Sequence, residues 1–181
     1  MKLSLISLIF KQGDPMSLKN YRPISLLNND MKILTKVLSK RLEKIMPQII
    51  SDTQFACPGR KISSATHMLR DIYDYANERN QESYIISIDF IKAYDSVDRE
   101  FLTRVLTKFG FQGKFFNILK NLFNGTRAKI IINGFITKTV KLKRGIKQGD
   151  ALSLYLFLIA LEPLMRAIKA NDDIYSRSLD T

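Results

Sequence analysis

The chain has 181 residues, 45% of them hydrophobic and 25% charged, which suits one good core or two small lobes sharing one and excludes a disordered tail. Lys and Arg number 29 against 17 Asp and Glu, a formal charge of +12. This excess points to a polyanionic partner, nucleic acid before membrane surface, although a surface kept basic for solubility has the same composition.

One cysteine, Cys57, and one histidine, His67, exclude a disulfide framework, a zinc finger or any Cys/His cluster within the chain. Cys57 beside Pro58 reads as a small buried or half-buried thiol, and His67 as a packed or solvated helix residue. Met1 to Lys11 imitate a signal peptide, but the apolar stretch is short and no small-residue cleavage site follows. No run approaches the roughly 18 apolar residues of a membrane span. An intracellular protein, cytoplasmic or nuclear and not secreted, is expected.

In chain order, Leu3 to Phe10 reads as a strand, and Gly13-Asp14-Pro15 as a turn. Pro23 biases Arg22 to an extended conformation. Asn29 or Asp30 is a natural N-cap for a helix from Met31 to Met46 with Ile33, Leu34, Val37, Leu38, Leu42 and Ile45 inward. Lys32, Lys36, Lys40 and Lys44 form a ridge on another face, which either follows a phosphate backbone or is simply solvated. Pro47 ends this helix, a loop spans Gln54 to Arg60, and a second helix covers Ser64 to Asn77 with Ala65, Met68, Leu69, Ile72 and Ala76 inward.

Tyr84, Ile85, Ile86 and Ile88 make a short β-branched run that predicts a buried strand ending at the carboxylate of Asp89. Asp98 caps a third helix closed by Gly110, and a fourth runs from Lys114 to Phe123. Asn133-Gly134 between the β-rich runs 127–133 and 135–142 predicts a hairpin. From Gly110 through Gly149 there is no acid against nine Lys and Arg residues, a pattern suited to contact with a nucleic-acid backbone through Arg127, Lys129, Lys143, Arg144 and Lys147. The glycine-punctuated loop Arg144 to Asp150 opens a long helix, Leu152 to Lys169, apolar nearly all round and therefore central to a core. An Asp at a strand end beside a basic glycine-bearing loop suits metal-assisted phosphoryl chemistry, though both features occur in many proteins.

Four blocks stand in order and cover nearly the whole chain: L-I-F-K-Q-G-D-P with K-N-Y-R-P-I-S-L-L-N, then Q-F-A-C-P-G-R, then S-I-D-F-I-K-A-Y-D-S-V, then R-G-I-K-Q-G-D-A-L-S-L-Y-L-F. Together they resemble the reverse transcriptases of non-LTR, LINE-like retrotransposons. The resemblance implies an α/β fold, the fingers and partial palm of a right-hand polymerase, truncated before the acidic hairpin and thumb. Residues 1–82 would be fingers, 83–109 the palm strand and following helix, 110–147 a fingers helix and basic hairpin, and 148–181 the palm helix and truncated end.

The implied reaction adds a deoxynucleoside triphosphate to a DNA primer 3′-hydroxyl on an RNA template with Mg²⁺, or Mn²⁺. Asp89 would bind both catalytic ions with help from the Phe90 carbonyl, and Tyr94 would be the steric gate against a ribose 2′-hydroxyl. Arg22 would meet the triphosphate, with Lys11 and Arg60 in the same region, and Gln148 and Gly149 would line the nucleotide pocket. Asp95 and Asp98 read as turn and cap residues rather than ligands.

The family's second acidic block is not matched. Asp172-Asp173 directly follow the long helix and read as a helix-terminating turn, and Ala151 and Leu154 stand where the family usually has Pro. The chain alone is therefore expected to be inactive, as part of a longer polyprotein. The rival readings are a remnant that holds RNA or a hybrid without polymerising, and an interaction domain whose charge serves membrane or protein contacts.

Overall fold

A computed structural model describes residues 3–80, 82 and 84–171. The fold is mixed α/β. Strand β1 (Leu3–Phe10) pairs antiparallel with β2 (Tyr21–Leu26) and parallel with β3 (Arg127–Ile132), and β3 pairs antiparallel with both β4 (Phe135–Ile136) and β5 (Val140–Lys141). Between β2 and β3 the chain makes α1 (Asn29–Glu43), α2 (Met46–Ile49), α3 (Ile62–Glu78), α4 (Ala93–Ser96), α5 (Arg99–Lys108) and α6 (Gly113–Phe123), and α7 (Ser153–Lys169) follows the sheet.

The core is helical. Leu38 and Leu42 of α1, Met46 of α2, Leu102, Val105 and Leu106 of α5, Leu119 of α6 and Leu156, Leu158 and Ile159 of α7 form one buried cluster. α7 is central to it, as its nearly continuous apolar surface requires. The sheet contributes little, with Ser4 and Ala128 its only buried residues among those described.

The β1 boundaries and the hairpin agree with the sequence. Asn133 and Gly134 take φ values of 49° and 81°, the left-handed pair that a two-residue turn between twisted strands needs. The returning strand is interrupted at Thr137. Its amide donates to the Ile130 carbonyl at 3.0 Å and its hydroxyl accepts from the Ile130 amide at 3.0 Å, so a side chain replaces one rung of the ladder. Asp98 caps α5 by accepting from the Phe101 amide at 2.9 Å, and Gly110 takes the left-handed position after the helix.

Three expectations are corrected. The buried face of α1 carries Met31, Thr35, Leu38, Ser39 and Leu42, while Ile33 and Val37 are exposed. Thr35 and Ser39 were invisible to a hydrophobic pattern, yet they are small, and the Thr35 hydroxyl is satisfied by the Met31 carbonyl at 2.9 Å, so its burial costs little. Pro47 does not end α1, which already stops at Glu43. It lies in the first turn of α2, where a missing amide costs no hydrogen bond.

The third correction concerns the segment before Asp89. Residues 84–90 carry neither helix nor strand, and Tyr84, Ile85, Ile86 and Ile88 are 86, 74, 82 and 70% exposed. β-propensity expresses a fit to neighbouring strands rather than a backbone preference, and among the described residues no strand lies beside this segment. α3 shows the same shortage of neighbours. Its apolar stripe is where the period places it, but only Ala76 is buried, with Ala65, Met68 and Ile72 half-covered and Leu69 exposed. Asp172-Asp173 lie outside the described residues.

Candidate nucleotide and nucleic-acid site

The turn after Asp89 is built by an uncommon backbone. Lys92 takes φ 52°, left-handed for a residue with a side chain, and reverses the chain into the single turn of α4. The Ser96 hydroxyl donates back to the Ile91 carbonyl at 3.2 Å. α4 thereby presents Tyr94 and Asp95 beside the exposed carboxylate of Asp89, and all three line a cleft of about 780 Å³.

The opposite wall comes from far along the sequence. Lys11, Arg22, Gln148 and Gly149 line the same cleft. Two backbone hydrogen bonds dock the 144–149 loop onto α4: the Gly145 amide donates to the Val97 carbonyl at 2.8 Å, and the Ile146 amide to the Tyr94 carbonyl at 2.9 Å. Only glycine permits this approach. Gly145 has φ 83°, and a Cβ there would lie 2.9 Å from the Asp95 carbonyl oxygen and 3.0 Å from the Asp95 Cα. Gln148 is then held from both sides, its carbonyl accepting from the Ser25 amide of β2 at 3.2 Å and its Nε2 donating to Asp95 Oδ2 at 3.0 Å.

Arg99 ties the loop to the rest of the fold. Its Nε donates to the Gly145 carbonyl at 2.8 Å, its Nη1 to the Phe123 carbonyl at 2.8 Å, Thr126 Oγ1 at 2.7 Å and the Leu142 carbonyl at 3.0 Å, and its Nη2 to the Arg144 carbonyl at 3.2 Å. One guanidinium at the start of α5 thus fastens the end of α6, the entry to β3, the exit of β5 and the 144–149 loop. The fork geometry of arginine serves so many acceptors where an ammonium does not. Burial pushes the Arg99 pKa down.

Tyr94 is a braced wall rather than a free ring. It packs on Phe157 of α7 with centroids 5.2 Å apart, and Phe90 meets the same ring edge-on at 6.3 Å. Burial raises the pKa of Asp95, opposed by the charge of Lys92. Burial lowers that of Lys147, opposed by Asp150 and reinforced by Arg99.

The family profile described as reverse transcriptase (RNA-dependent DNA polymerase) matches residues 9–178. This chain belongs to the reverse transcriptase family. It is 33% identical over 163 residues to the transposon TX1 uncharacterized 149 kDa protein of Xenopus laevis, covering 90% of this chain and 12% of that protein. It is 29% identical over 171 residues to the Pol polyprotein of a type-1 R2 retrotransposable element of Popillia japonica, covering 93% of this chain and 24% of the relative. A third relative, the probable RNA-directed DNA polymerase from transposon BS of Drosophila melanogaster, is 26% identical over 162 residues, 87% of this chain and 18% of its own length. The chain thus spans less than a quarter of the length of these non-LTR retrotransposon proteins.

Of the residues expected at the site, the cleft gathers Lys11, Arg22, Asp89, Phe90, Tyr94, Gln148 and Gly149. Arg60 is elsewhere. Its guanidinium donates to the carbonyls of Ile50, Ser51 and Gln54, closing the loop that holds the buried Cys57. Burial pushes the Cys57 thiol up, opposed by the nearby Arg60 charge. Lys143, Arg144 and Lys147 line an adjoining groove of about 520 Å³ that shares Lys92, Asp95 and Gln148 with the cleft. Arg144 is partly engaged with Asp98 at 3.7 Å.

Strand register accounts for the other cations. Arg127 is opposite Leu3 and Lys141, Lys129 is opposite Leu5, Leu5 is opposite Leu26, and Arg22 lies four residues before Leu26 on β2. Because side chains alternate along strands, Arg22, Arg127, Lys129 and Lys141 share one face of the sheet.

Reverse transcriptases use a divalent metal ion. The Asp89 carboxylate is a hard oxygen donor exposed at the cleft, of the type such an ion takes. Among the described residues, however, no group of three or more carboxylate, His or Cys side chains could enclose a metal. Asp89 therefore fits as a single donor toward such an ion among the described residues. No described helix is long and apolar enough to cross a membrane.

Sequence reasoning missed Asp95, Arg99, Gly145 and Phe157. The sequence marks Asp95 as a turn residue and places Gly145 and Phe157 in the fourth block, but the partners of Arg99, Gly145 and Phe157 lie tens of residues away and leave no local pattern.

Proposed function

We propose that this chain forms the fingers and the first part of the palm of an RNA-directed DNA polymerase of the non-LTR retrotransposon kind. Residues 1–82 and 110–147 act as fingers, and 83–109 and 148–181 as palm. The observation that carries this reading is the cleft that brings Arg22, the Asp89 and Tyr94 pair, and Gln148 together from three separate stretches of sequence.

In this reading Asp89 and the Phe90 carbonyl hold Mg²⁺, or Mn²⁺ in its place. When bound, the metal lowers the pKa of a primer 3′-hydroxyl and offsets phosphate charge. Arg22 and Lys11 face the triphosphate, whose oxygens a guanidinium fork matches. The Tyr94 ring, stiffened by Phe157, blocks space beside the sugar, and the Gly149 turn lets backbone approach the nucleotide. Arg127, Lys129, Lys143 and Arg144 contact the backbone of an RNA template and DNA primer. Lys147, half-buried, contributes charge from beneath the loop.

That no group of three or more carboxylate, His or Cys side chains among the described residues could enclose a metal supports a second reading, in which this chain holds an RNA–DNA hybrid without extending it. Primer extension on a homopolymer RNA template with Mg²⁺ separates the two. Extension lost in Asp89→Asn supports polymerisation by this chain, whereas retention of a labelled hybrid without extension supports binding alone. With several phosphate contacts, hybrid affinity should fall by orders of magnitude between about 50 and 200 mM salt. Affinity indifferent to salt would defeat both readings.

A further inference from the structure

The α4 turn and the 144–149 loop, distant in sequence, meet at one side-chain hydrogen bond inside the cleft, between Gln148 Nε2 and Asp95 Oδ2 at 3.0 Å. The backbone around each partner leaves it little choice. Gly145 and Ile146 are bonded to α4, and the Gln148 carbonyl is bonded to Ser25, so the Gln148 side chain starts from a fixed Cα. Asp95 is part of the one-turn helix that follows left-handed Lys92, and its own backbone touches Gly145.

The chemistry of the pair then fixes the orientation of the amide. An ionised carboxylate only accepts hydrogen bonds, so it must be met by the amide nitrogen and never by the amide oxygen. We propose that Asp95 is a positioning residue for nucleotide selection, holding Gln148 with its nitrogen committed to Asp95 and its oxygen as the acceptor left for the occupant of the cleft. The inference rests on the nucleotide reading of that cleft. Mg²⁺-bound triphosphate oxygens are deprotonated above neutral pH and offer no donor, so the Gln148 oxygen serves a donor on the sugar or base and not the triphosphate.

Asp95→Asn is nearly isosteric but removes the constraint. Two amides pair in either orientation, because each has both a donor and an acceptor. The test uses the 181-residue chain at pH 8, with two probes, dTTP and inorganic tripolyphosphate, each with Mg²⁺. Asp95→Asn should weaken dTTP binding by roughly tenfold, the scale of one hydrogen bond, and leave tripolyphosphate binding unchanged. In a Gln148→Leu background the Asp95 substitution should have no further effect on dTTP, as a coupled pair requires.

The side-chain amide of Gln148, assigned by its loss in Gln148→Leu, should show two well-separated proton signals in the ¹H–¹⁵N spectrum that draw together in Asp95→Asn. Equal loss of both probes, additive effects in the double variant, or an unchanged Gln148 amide signal overturns the proposal. Should the wild type bind neither probe, the nucleotide reading falls, and the amide signal still decides what Asp95 does.

Discussion

Replacing Arg99 tests whether one guanidinium organises the site. Arg99→Met keeps most of the stem and removes all five donated contacts, which lie between 2.7 and 3.2 Å. Their acceptors are not equal. Thr126 and Gly145 are buried, whereas Phe123, Leu142 and Arg144 are partly or largely open to water and can be hydrated when the arginine is gone. A buried acceptor left dry costs about 1–3 kcal/mol, so the two buried ones dominate, and relief from desolvating the charge offsets part of the loss. The net expectation is a loss of about 3 kcal/mol, which is roughly 6–12 °C in Tm for a domain of this size.

Arg99→Lys retains the charge, but its ammonium has three hydrogens on one point and cannot span acceptors on four segments. It should recover less than half of the loss. Urea denaturation measures the stability, and amide exchange at Gly145 and Ile146 reports locally, since both amides are the rungs that dock the loop on α4. Full recovery by lysine would refute the fork argument and leave only charge. A loss under about 1 kcal/mol, within the range of ordinary surface changes or slightly above it, would refute the clamp altogether.

Gly145→Ala combines a left-handed φ with a Cβ 2.9 Å from the Asp95 carbonyl. It should cost upwards of about 1 kcal/mol and raise exchange at Ile146, while alanine at exposed Gly134, where a Cβ would have open space, pays only the backbone term. Glu162 is 1% exposed, and its Oε1 accepts from the Ser51 amide at 3.0 Å, the Ser51 hydroxyl at 2.5 Å and Arg166 Nε at 2.9 Å. Glu162→Ala should therefore destabilise by about 2–4 kcal/mol by urea denaturation, since it strands donors and leaves a void; a loss below about 1 kcal/mol would show those donors to be rehydrated.

The Asp98 carboxyl is held below its ordinary pKa, chiefly by the Phe101 amide and secondarily by the Glu100 amide and Arg144. A lowered native pKa means that the cap's contribution is complete above the unfolded-state value of 3.8 and is lost as pH falls through the lower native one. The protection of the Phe101 amide, its exchange rate relative to the intrinsic rate at each pH, should fall over that acid window in the wild type, and Asp98→Ala should remove that change in protection.

Sequence alone determined the local elements whose cause is local. The N-cap of α5, the Asn-Gly turn after β3, the extent of β1 and the apolar surface of α7 each follow from residues within a turn or two of one another. Beyond those, it was the resemblance of the four blocks to the non-LTR reverse transcriptases, not spacing by itself, that singled out Asp89, Tyr94, Gln148 and Gly149, which line one cleft. Tertiary structure decided which of the basic and polar residues meet. The resemblance puts Arg60 only in the general region of Arg22, and the carbonyls of its own loop hold it away from the cleft.

The same holds for the face of α1, where Thr35 is buried because Met31 satisfies it, and for Tyr84 to Ile88, whose strand character needs a neighbouring strand to become a strand. Pairings across 53 residues, as between Asp95 and Gln148, or 46, as between Arg99 and Gly145, leave no period or cap in a sequence. They arise from packing the loop onto α4, and a hydrogen bond of that kind exists only once the fold has brought its two ends together.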